Sequence, residues 1–166
     1  MPRIHHKTLH NPVTIAGYQV RTSNAAELAS TGKIGPLWQR FLAENLAATI
    51  PNRTSNDLYA VYSNYQSDEN GAYDYLIGSP VSTIDNLPAG ITFAALSTGE
   101  YAVLTTDKGP IANVLQSAWR EIWSLSPEDL GGHRAFLADY EIYGHRAADP
   151  NNAEVEIHIG IEPHIS

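Results

Sequence analysis

The chain has 166 residues, which fits a single domain, and its ten Lys and Arg against eighteen Asp and Glu give a formal net charge of −8. This charge would repel a phosphate backbone, so we expect no direct nucleic-acid contact, and the absence of cysteine excludes disulfide scaffolds, Cys-ligated zinc, iron–sulfur clusters and thiolate nucleophiles. Apolar residues make up 43% of the chain, but no apolar run approaches the roughly 20 residues that span a bilayer, so we expect no membrane contact. Residues 1–7 are basic and lead into polar residues instead of the apolar stretch of a secretory signal, which predicts a cytoplasmic protein.

The first half of the chain predicts a strand, a helix and a hairpin. Residues 13–22 partly alternate apolar and polar side chains and contain Val, Ile and Tyr, which is typical of a strand. The next apolar residues follow helical spacing and predict one buried stripe, made of Ile34, Leu37, Trp38, Phe41 and Leu42. Residues 58–65 and 73–81 are rich in β-forming residues and flank a turn that contains Asn70-Gly71, so they predict a hairpin.

The second half begins with two short segments, 91–96 and 101–106, which predict two strands or one interrupted strand. A Gly-Pro pair then opens a helix whose apolar stripe comprises Ile111, Val114, Leu115, Ala118, Trp119 and Ile122. After a loop at 126–132, further strands are predicted at 136–143 and 155–161.

The two halves repeat one order of elements: strand, helix, strand, strand. A Gly-Pro pair lies at the start of each helix, Gly35-Pro36 in the first half and Gly109-Pro110 in the second. We therefore predict a single α+β domain, residues 1–166, built from a duplicated β-α-β-β unit at about 13–81 and about 91–163. A pseudo-two-fold axis would relate two helices packed on an antiparallel sheet, with a ligand groove between the halves.

A carboxylate on the strand predicted at 136–143 is the leading candidate for a binding residue. Side chains alternate along a strand, so Asp139, Glu141 and Tyr143 share one face. Alone, this pattern is typical of a strand with a solvated acidic face. Glu141, however, lies mid-strand between two tyrosines, in a protein whose predicted helices carry all three tryptophans. The candidate ligand-binding residues are Glu141, Tyr143, Trp119, Trp123, Trp38, Tyr65 and Tyr101.

A carboxylate surrounded by aromatic rings attracts a cation in two ways, through its own charge and through the ring faces. Each ring contributes about 0.5–2 kcal/mol. Burial without a partner would cost several kcal/mol, so the empty pocket needs water, tyrosine hydrogen bonds or a protonated Glu141. The tryptophans also fit plain core packing on the apolar stripes of the helices. Trp123 lies at the edge of its stripe and is the better candidate for pocket lining.

Other site chemistries lack a sequence signature. None of the seven histidines lies in an HExxH motif or in a helical i, i+4 pair, so we expect no metal site. The phosphate-binding glycine motifs and the GxSxG nucleophile elbow are absent, and we expect no cofactor.

Two passages of the chain resemble the gyrase-inhibitor-like effector-binding family, a ligand domain of bacterial transcription activators that also occurs as free-standing proteins. They are Pro88-Ala89-Gly90 through Val103, continuing to Gly109-Pro110 and Ile122-Trp123, and Arg134 through Asp139-Tyr140-Glu141-Ile142-Tyr143. The resemblance implies a duplicated strand–helix–strand–strand fold with a pocket between its halves and a glutamate, here Glu141, that faces the pocket and reads positive charge. The first half departs from this pattern, because Ser63 occupies the position that the repeat assigns to Glu141.

The family resemblance implies hydrophobic, often cationic, drugs or dyes as ligands, and in some free-standing members hydrolysis of strained toxic compounds by an acid and a tyrosine. We expect a free-standing protein that senses or sequesters amphipathic, cationic small molecules and is not an enzyme. The first alternative is a hydrolase in which Glu141 acts as general acid or base. The second is an inhibitor of a protein partner such as a topoisomerase. A homodimer or a regulatory protein partner is left open.

Overall fold

The computed structural model describes residues 3–29 and 31–162, which form an α+β fold with an eight-stranded sheet. The strands are β1 Arg3–Leu9, β2 Val13–Ser23, β3 Leu58–Ser63, β4 Ala72–Val81, β5 Thr92–Leu96, β6 Gly99–Thr105, β7 Ala138–Tyr143 and β8 Glu156–Ile161. The α-helices are α1 Asn24–Leu28, α2 Ile34–Ala43, α3 Ile111–Ser124 and α4 Pro127–Leu130, and short 3-10 turns lie at Leu46–Thr49 and His145–Ala147.

The strand order is the same in the two halves of the sheet: from the centre outward it is β3-β4-β2 on one side and β7-β8-β6 on the other. The sheet runs β1-β6-β8-β7-β3-β4-β2-β5, and every neighbouring pair is antiparallel. Its centre is the β3–β7 pair, which joins β2, β3 and β4 to β6, β7 and β8. The predicted antiparallel α+β fold is confirmed. The pairing adds an exchange that the sequence did not predict: β1 pairs with β6 and β5 pairs with β2, so each half receives an edge strand from the other.

The two longer helices form where the apolar spacing predicted them. In α2, Pro36 lies in the first turn, where its missing N–H costs nothing, and Leu37 and Phe41 are buried. The predicted stripe was wrong at Leu42, which is 65% exposed. In α3, Ala118 and Ile122 are the buried residues. Within the part of the chain described by the structure, no helix has the length and apolar character to cross a membrane.

Both helices pack on the same face of the sheet. Helix α2 lies against β2 and β4, where Phe41 packs into a cluster with Tyr75 and Ile77. Helix α3 packs against β6 and β8 in a second cluster that contains Ile122 and Ile157. The central strands β3 and β7 lie between these two clusters. The fold therefore leaves the middle of the sheet free to line a space between the helices.

The opposite face of the sheet buries a separate cluster that contains Tyr101 and Tyr140. It is buried without a helix because the sheet curves, so that β5 contacts β3 and β7 across this face. His158 is buried here, stacked on Tyr140 with 4.4 Å between ring centroids, and its Nε2 lies 3.0 Å from a Glu156 carboxylate oxygen. Burial lowers the pKa of His158 from 6.5 to about 4, although Glu156 acts in the opposite direction.

We expect acid to destabilise the fold through this histidine. Because its pKa is lower in the folded chain, the unfolded chain binds more protons between pH 6.5 and about 4, and the free energy of unfolding falls by up to about 1.4 kcal/mol per pH unit in that window. The pKa of Glu156 is also lowered, since the effects of His158 and Arg146 outweigh its burial, which adds a loss of the same sign. Urea denaturation at pH 7, 5.5 and 4.5 measures the slope. The slope should decrease in His158→Phe and not in a control at the exposed His10, H10F; equal slopes in all three proteins would contradict the assignment.

Candidate functional site

A cavity of about 1130 Å³ lies between the helices and the central strands of the sheet. Its floor is formed by side chains of β3, β4 and β7, and its walls by α1, α2 and α3. Pockets for drug-sized ligands typically measure about 300–1,000 Å³, so this one can hold a bulky organic molecule. The lining is mainly apolar and aromatic, with Trp38, Tyr62, Tyr65, Tyr73, Tyr75, Trp119, Trp123 and Tyr143 as its aromatic residues.

Glu141 lies on the floor of this cavity and is only 2% exposed. Strand β7 positions it, because alternation along the strand turns Glu141 and Tyr143 toward the helices and Tyr140 toward the opposite cluster. Three side chains donate hydrogen bonds to the carboxylate: Tyr62 Oη (2.9 Å) and Trp119 Nε1 (2.7 Å) to Oε2, and Tyr143 Oη (2.5 Å) to Oε1. A carboxylate in this position is satisfied by neutral donors alone.

The aromatic rings around the carboxylate contact one another. Tyr62 occupies the centre, with ring centroids 5.1 Å from Trp119 and 5.0 Å from Tyr75. On the α2 side, Trp38 packs edge-on to Tyr143 at 5.0 Å and donates a hydrogen bond of 2.8 Å from Nε1 to Tyr75 Oη. Both helices therefore contribute a tryptophan whose N–H is directed at the polar floor. The polar atoms bond to each other, and the ring surfaces are left to contact a ligand.

Burial controls the protonation of these groups. It raises the pKa of Glu141 above its ordinary value of 4.5, although the hydrogen bonds from Tyr143, Trp119 and Tyr62 oppose part of the shift. Burial, followed by the nearby Glu141 charge, also raises the pKa of Tyr62, Tyr75 and Tyr143 well above 10. The three tyrosines consequently remain neutral hydrogen-bond donors.

Glu141 has no cationic partner among residues 3–29 and 31–162. Its neighbour on the same strand face, Asp139, is different: Arg134 donates to Asp139 Oδ2 at 2.8 Å, Tyr65 Oη donates to the same oxygen at 2.6 Å, and Gly160 N donates to Oδ1 at 2.8 Å. The charge of Asp139 is therefore neutralised within the protein, and that of Glu141 is not.

The lining as a whole has more carboxylates than arginines. Its carboxylates are Glu27, Asp57, Glu69 and Glu141, and its arginines are Arg120 and Arg134, of which Arg134 is already paired with Asp139. The rim also exposes apolar side chains from three helices: Leu28 of α1 (80% exposed), Leu42 of α2 and Trp123 of α3 (42% exposed). Leu42 is exposed because it lines the cavity and does not pack in the core.

Six of the seven predicted ligand-binding residues line this cavity together: Glu141, Tyr143, Trp119, Trp123, Trp38 and Tyr65. Tyr101 does not. It lies on the opposite face of the sheet, where its hydroxyl donates to the Ser97 carbonyl oxygen at 2.6 Å and its ring packs on Tyr140 at 5.2 Å. Tyr101 pairs with Gly160 on β8, and its position in the alternation of β6 turns its side chain away from the helices.

Two floor residues of the hydrogen-bond network around Glu141, Tyr62 and Tyr75, were not among the predicted site residues, and neither was Tyr73 beside them. The predicted repeat aligned Ser63 with Glu141, but adjacent residues of a strand point to opposite faces, and it is Tyr62 that reaches the carboxylate. Tyr75 pairs directly with Tyr62 in the hairpin and therefore shares its face. Placing Tyr62 on the helix-facing side of the sheet would have revealed both, since the alternation of β4 puts Tyr73, Tyr75 and Ile77 on one face.

The sequence predicts no metal site. Within the described part of the chain, no three His, Cys, Asp or Glu side chains converge in a way that could hold a metal. What the cavity offers chemically is one deep carboxylate, phenol and indole donors bonded to it, and aromatic ring faces.

Comparison with known proteins gives consistent matches over nearly the whole chain. The model of the Cass2 family, described as integron-associated effector binding protein, matches residues 9–161. The protein YobU of Bacillus subtilis (strain 168), whose name describes a transcriptional regulator, is 33% identical over 148 residues, which is 89% of this chain and 91% of YobU. The crystal structure of integron cassette protein VCH_CASS2, from the mobile metagenome of Vibrio cholerae, has a TM-score of 0.74 at 30% identity, covering 96% of this chain and 95% of that one. The structure of SAV2435 bound to tetraphenylphosphonium has a TM-score of 0.75 at 14% identity, covering 98% and 94% of the two chains, a likeness of fold alone.

Proposed function

We propose, since the chain belongs to the Cass2 family of integron-associated effector-binding proteins, that it binds hydrophobic small molecules that carry a positive charge. Membership of this family confirms the predicted resemblance to gyrase-inhibitor-like effector-binding domains. Binding of a small molecule is supported by the effector-binding family and by the ligand held by SAV2435. The preference for a cation, and the residues that create it, are what this chain's own geometry adds to the proposal.

One observation carries the preference: a carboxylate without a cationic partner among the described residues, at the floor of an aromatic cavity. Burial of an ionised carboxylate is costly, and the three neutral donors offset only part of that cost. A cation that enters the cavity supplies the missing charge in a region of low dielectric, where the attraction is strong. The rings of Trp38, Tyr62 and Trp119 add contact area and cation–π attraction.

Two ligands of the same shape and opposite charge test this proposal. Tetraphenylphosphonium and tetraphenylborate differ mainly in the sign of their charge. A ligand that binds only the folded state raises the melting temperature with concentration, so we expect a rise with the phosphonium and none with the borate. A rise with the borate that equals or exceeds that with the phosphonium would overturn the proposed preference.

Binding of the cation should weaken in acid. The ionised form of Glu141 attracts the ligand, and its raised pKa places protonation above the ordinary value of 4.5. Affinity is therefore highest when the pH is well above this pKa and falls as the pH decreases through it. Fluorescence or calorimetric titration of a permanently charged cation between pH 8 and pH 4.5 measures the effect. The same titration of Glu141→Gln should give a nearly flat profile, and a parallel decline in both proteins would assign the pH dependence to another group.

A hydrolase remains the second candidate, favoured by one observation: a buried carboxyl group whose pKa is raised, as suits a general acid or base, lies beside a tyrosine hydroxyl that donates to it. Product formation from electrophilic compounds, compared in wild type and Glu141→Gln, separates turnover from binding. A role in sensing or sequestering the bound ligand remains a prediction. The cytoplasmic location and the absence of direct nucleic-acid contact are also predictions. The same holds for inhibition of a protein partner.

A further inference from the structure

The hydrogen bonds on Glu141 restrict which cations the cavity can accept. A carboxylate offers about four acceptor positions, two on each oxygen. Oε2 accepts from Tyr62 and Trp119, which fills its two positions, and Oε1 accepts from Tyr143, which leaves one. When Glu141 is ionised, the floor thus presents a negative charge with almost no free acceptor position.

The neighbouring polar atoms do not compensate for this shortage. Trp38 Nε1 and Trp119 Nε1 are donors only and are already engaged, and Tyr75 Oη accepts from Trp38. The hydroxyl oxygens of Tyr62 and Tyr143 can still accept, but burial and the nearby carboxylate keep these groups neutral, so they accept more weakly than a carboxylate does.

We propose that Tyr62, Trp119 and Tyr143 make the cavity selective for cations without N–H groups, such as quaternary ammonium or phosphonium ions, over protonated amines of the same skeleton. A primary ammonium has three strongly hydrated N–H donors, which lose water on entry to the floor and find one free position on the Glu141 carboxylate. A quaternary cation has no donor to satisfy and contacts the rings through its apolar surface while it remains close to the charge. This inference depends on the proposed cation binding and specifies the class of cation.

Paired ligands measure the selectivity directly. We choose (biphenyl-4-ylmethyl)trimethylammonium and the primary amine biphenyl-4-ylmethylamine, both cationic at pH 7, and determine their dissociation constants by isothermal titration calorimetry. We expect the wild-type protein to bind the trimethylammonium at least about tenfold more tightly, which corresponds to about 1.4 kcal/mol. Equal or tighter binding of the primary amine would overturn the proposal.

The trimethylammonium group is also larger and more apolar than the primary ammonium, which could favour it for other reasons. The decisive measurement is therefore the change in the ratio of the two dissociation constants between the wild-type protein and its variants. Tyr143→Phe removes the donor to Oε1 and keeps the ring, which opens a second acceptor position toward the cavity. We expect the preference for the quaternary ion to shrink by about fivefold or more, because the primary ammonium gains a hydrogen bond that the quaternary ion cannot make. Tyr62→Phe frees a position on Oε2 and should act in the same direction, which keeps the test available if the first variant folds poorly.

A matched control is Tyr101→Phe, which removes a buried tyrosine hydroxyl on the opposite face of the sheet and should leave the ratio unchanged. An unchanged ratio in both Tyr143→Phe and Tyr62→Phe would refute the role of the hydrogen bonds even if cations bind. Failure of the proposed function gives a different result: neither biphenyl cation nor tetraphenylphosphonium would bind to any of these proteins.

Discussion

Replacement of Glu141 by Gln should weaken binding of a quaternary aromatic cation by roughly 10- to 100-fold, or about 1.4–2.7 kcal/mol. Gln has nearly the same shape, so the cavity is preserved, but the charge that attracts the ligand is lost. The amide NH₂ must also face at least one of the donors Tyr62, Trp119 and Tyr143, which now lacks its acceptor. Calorimetric titration with tetraphenylphosphonium at pH 7.5 provides the measurement.

A control for net charge is available on β6. Glu100 is exposed and does not line the cavity, so Glu100→Gln changes the charge of the protein by the same amount at a distance from the site. Its affinity for the cation should stay within about twofold of wild type, since exposed charges are screened by salt and solvent. If both substitutions weaken binding equally, the ligand responds to the overall field of the protein and Glu141 is not its partner.

The parts of this fold that are encoded locally could be predicted from the sequence. The spacing of Leu37 and Phe41 in α2, and of Ala118 and Ile122 in α3, identifies the helices because an apolar stripe has a period of 3.6 residues. Glu141 and Tyr143 could be placed on one face because side chains alternate along a strand and these two residues lie two positions apart. No long-range information is needed for these statements.

The exchange of β1 and β5 between the halves is different, because it depends on pairing between segments far apart in sequence. Tyr62 could not be assigned to Glu141 because a shift of one residue in the repeat, which sequence similarity does not resolve, turns every side chain of the strand to the other face. The same uncertainty placed Tyr101 in the cavity. For Tyr62 and Tyr101 the missing information was which face the strand presents to the helices, and sequence periodicity within one strand does not determine it.

Two glycines that oppose each other at the β2–β4 pair lead to the second prediction. Gly17 pairs with Gly78, and a Cβ added to Gly78 would lie 1.9 Å from Ala16 O, as would a Cβ on Gly17 from Ile77 O. The absence of both side chains lets the two backbones approach closely. Because the obstructing atoms are backbone, Gly78→Ala can be accommodated only if the strands move apart, and we expect a loss of more than about 3 kcal/mol in the free energy of unfolding.

Helix α2 packs on these two strands, so their separation should also disturb the wall of the cavity that carries Trp38. Urea denaturation and the melting temperature measure the loss of stability, and circular dichroism shows whether a variant folds at all. Gly35→Ala is the matched control, because a Cβ at that position meets no atom within 4 Å. Its effect should stay within about 1 kcal/mol, since Ala favours a helix but Pro36 disfavours helical backbone in the residue before it. Equal stabilities of Gly78→Ala and Gly35→Ala would show that the strands can separate without cost.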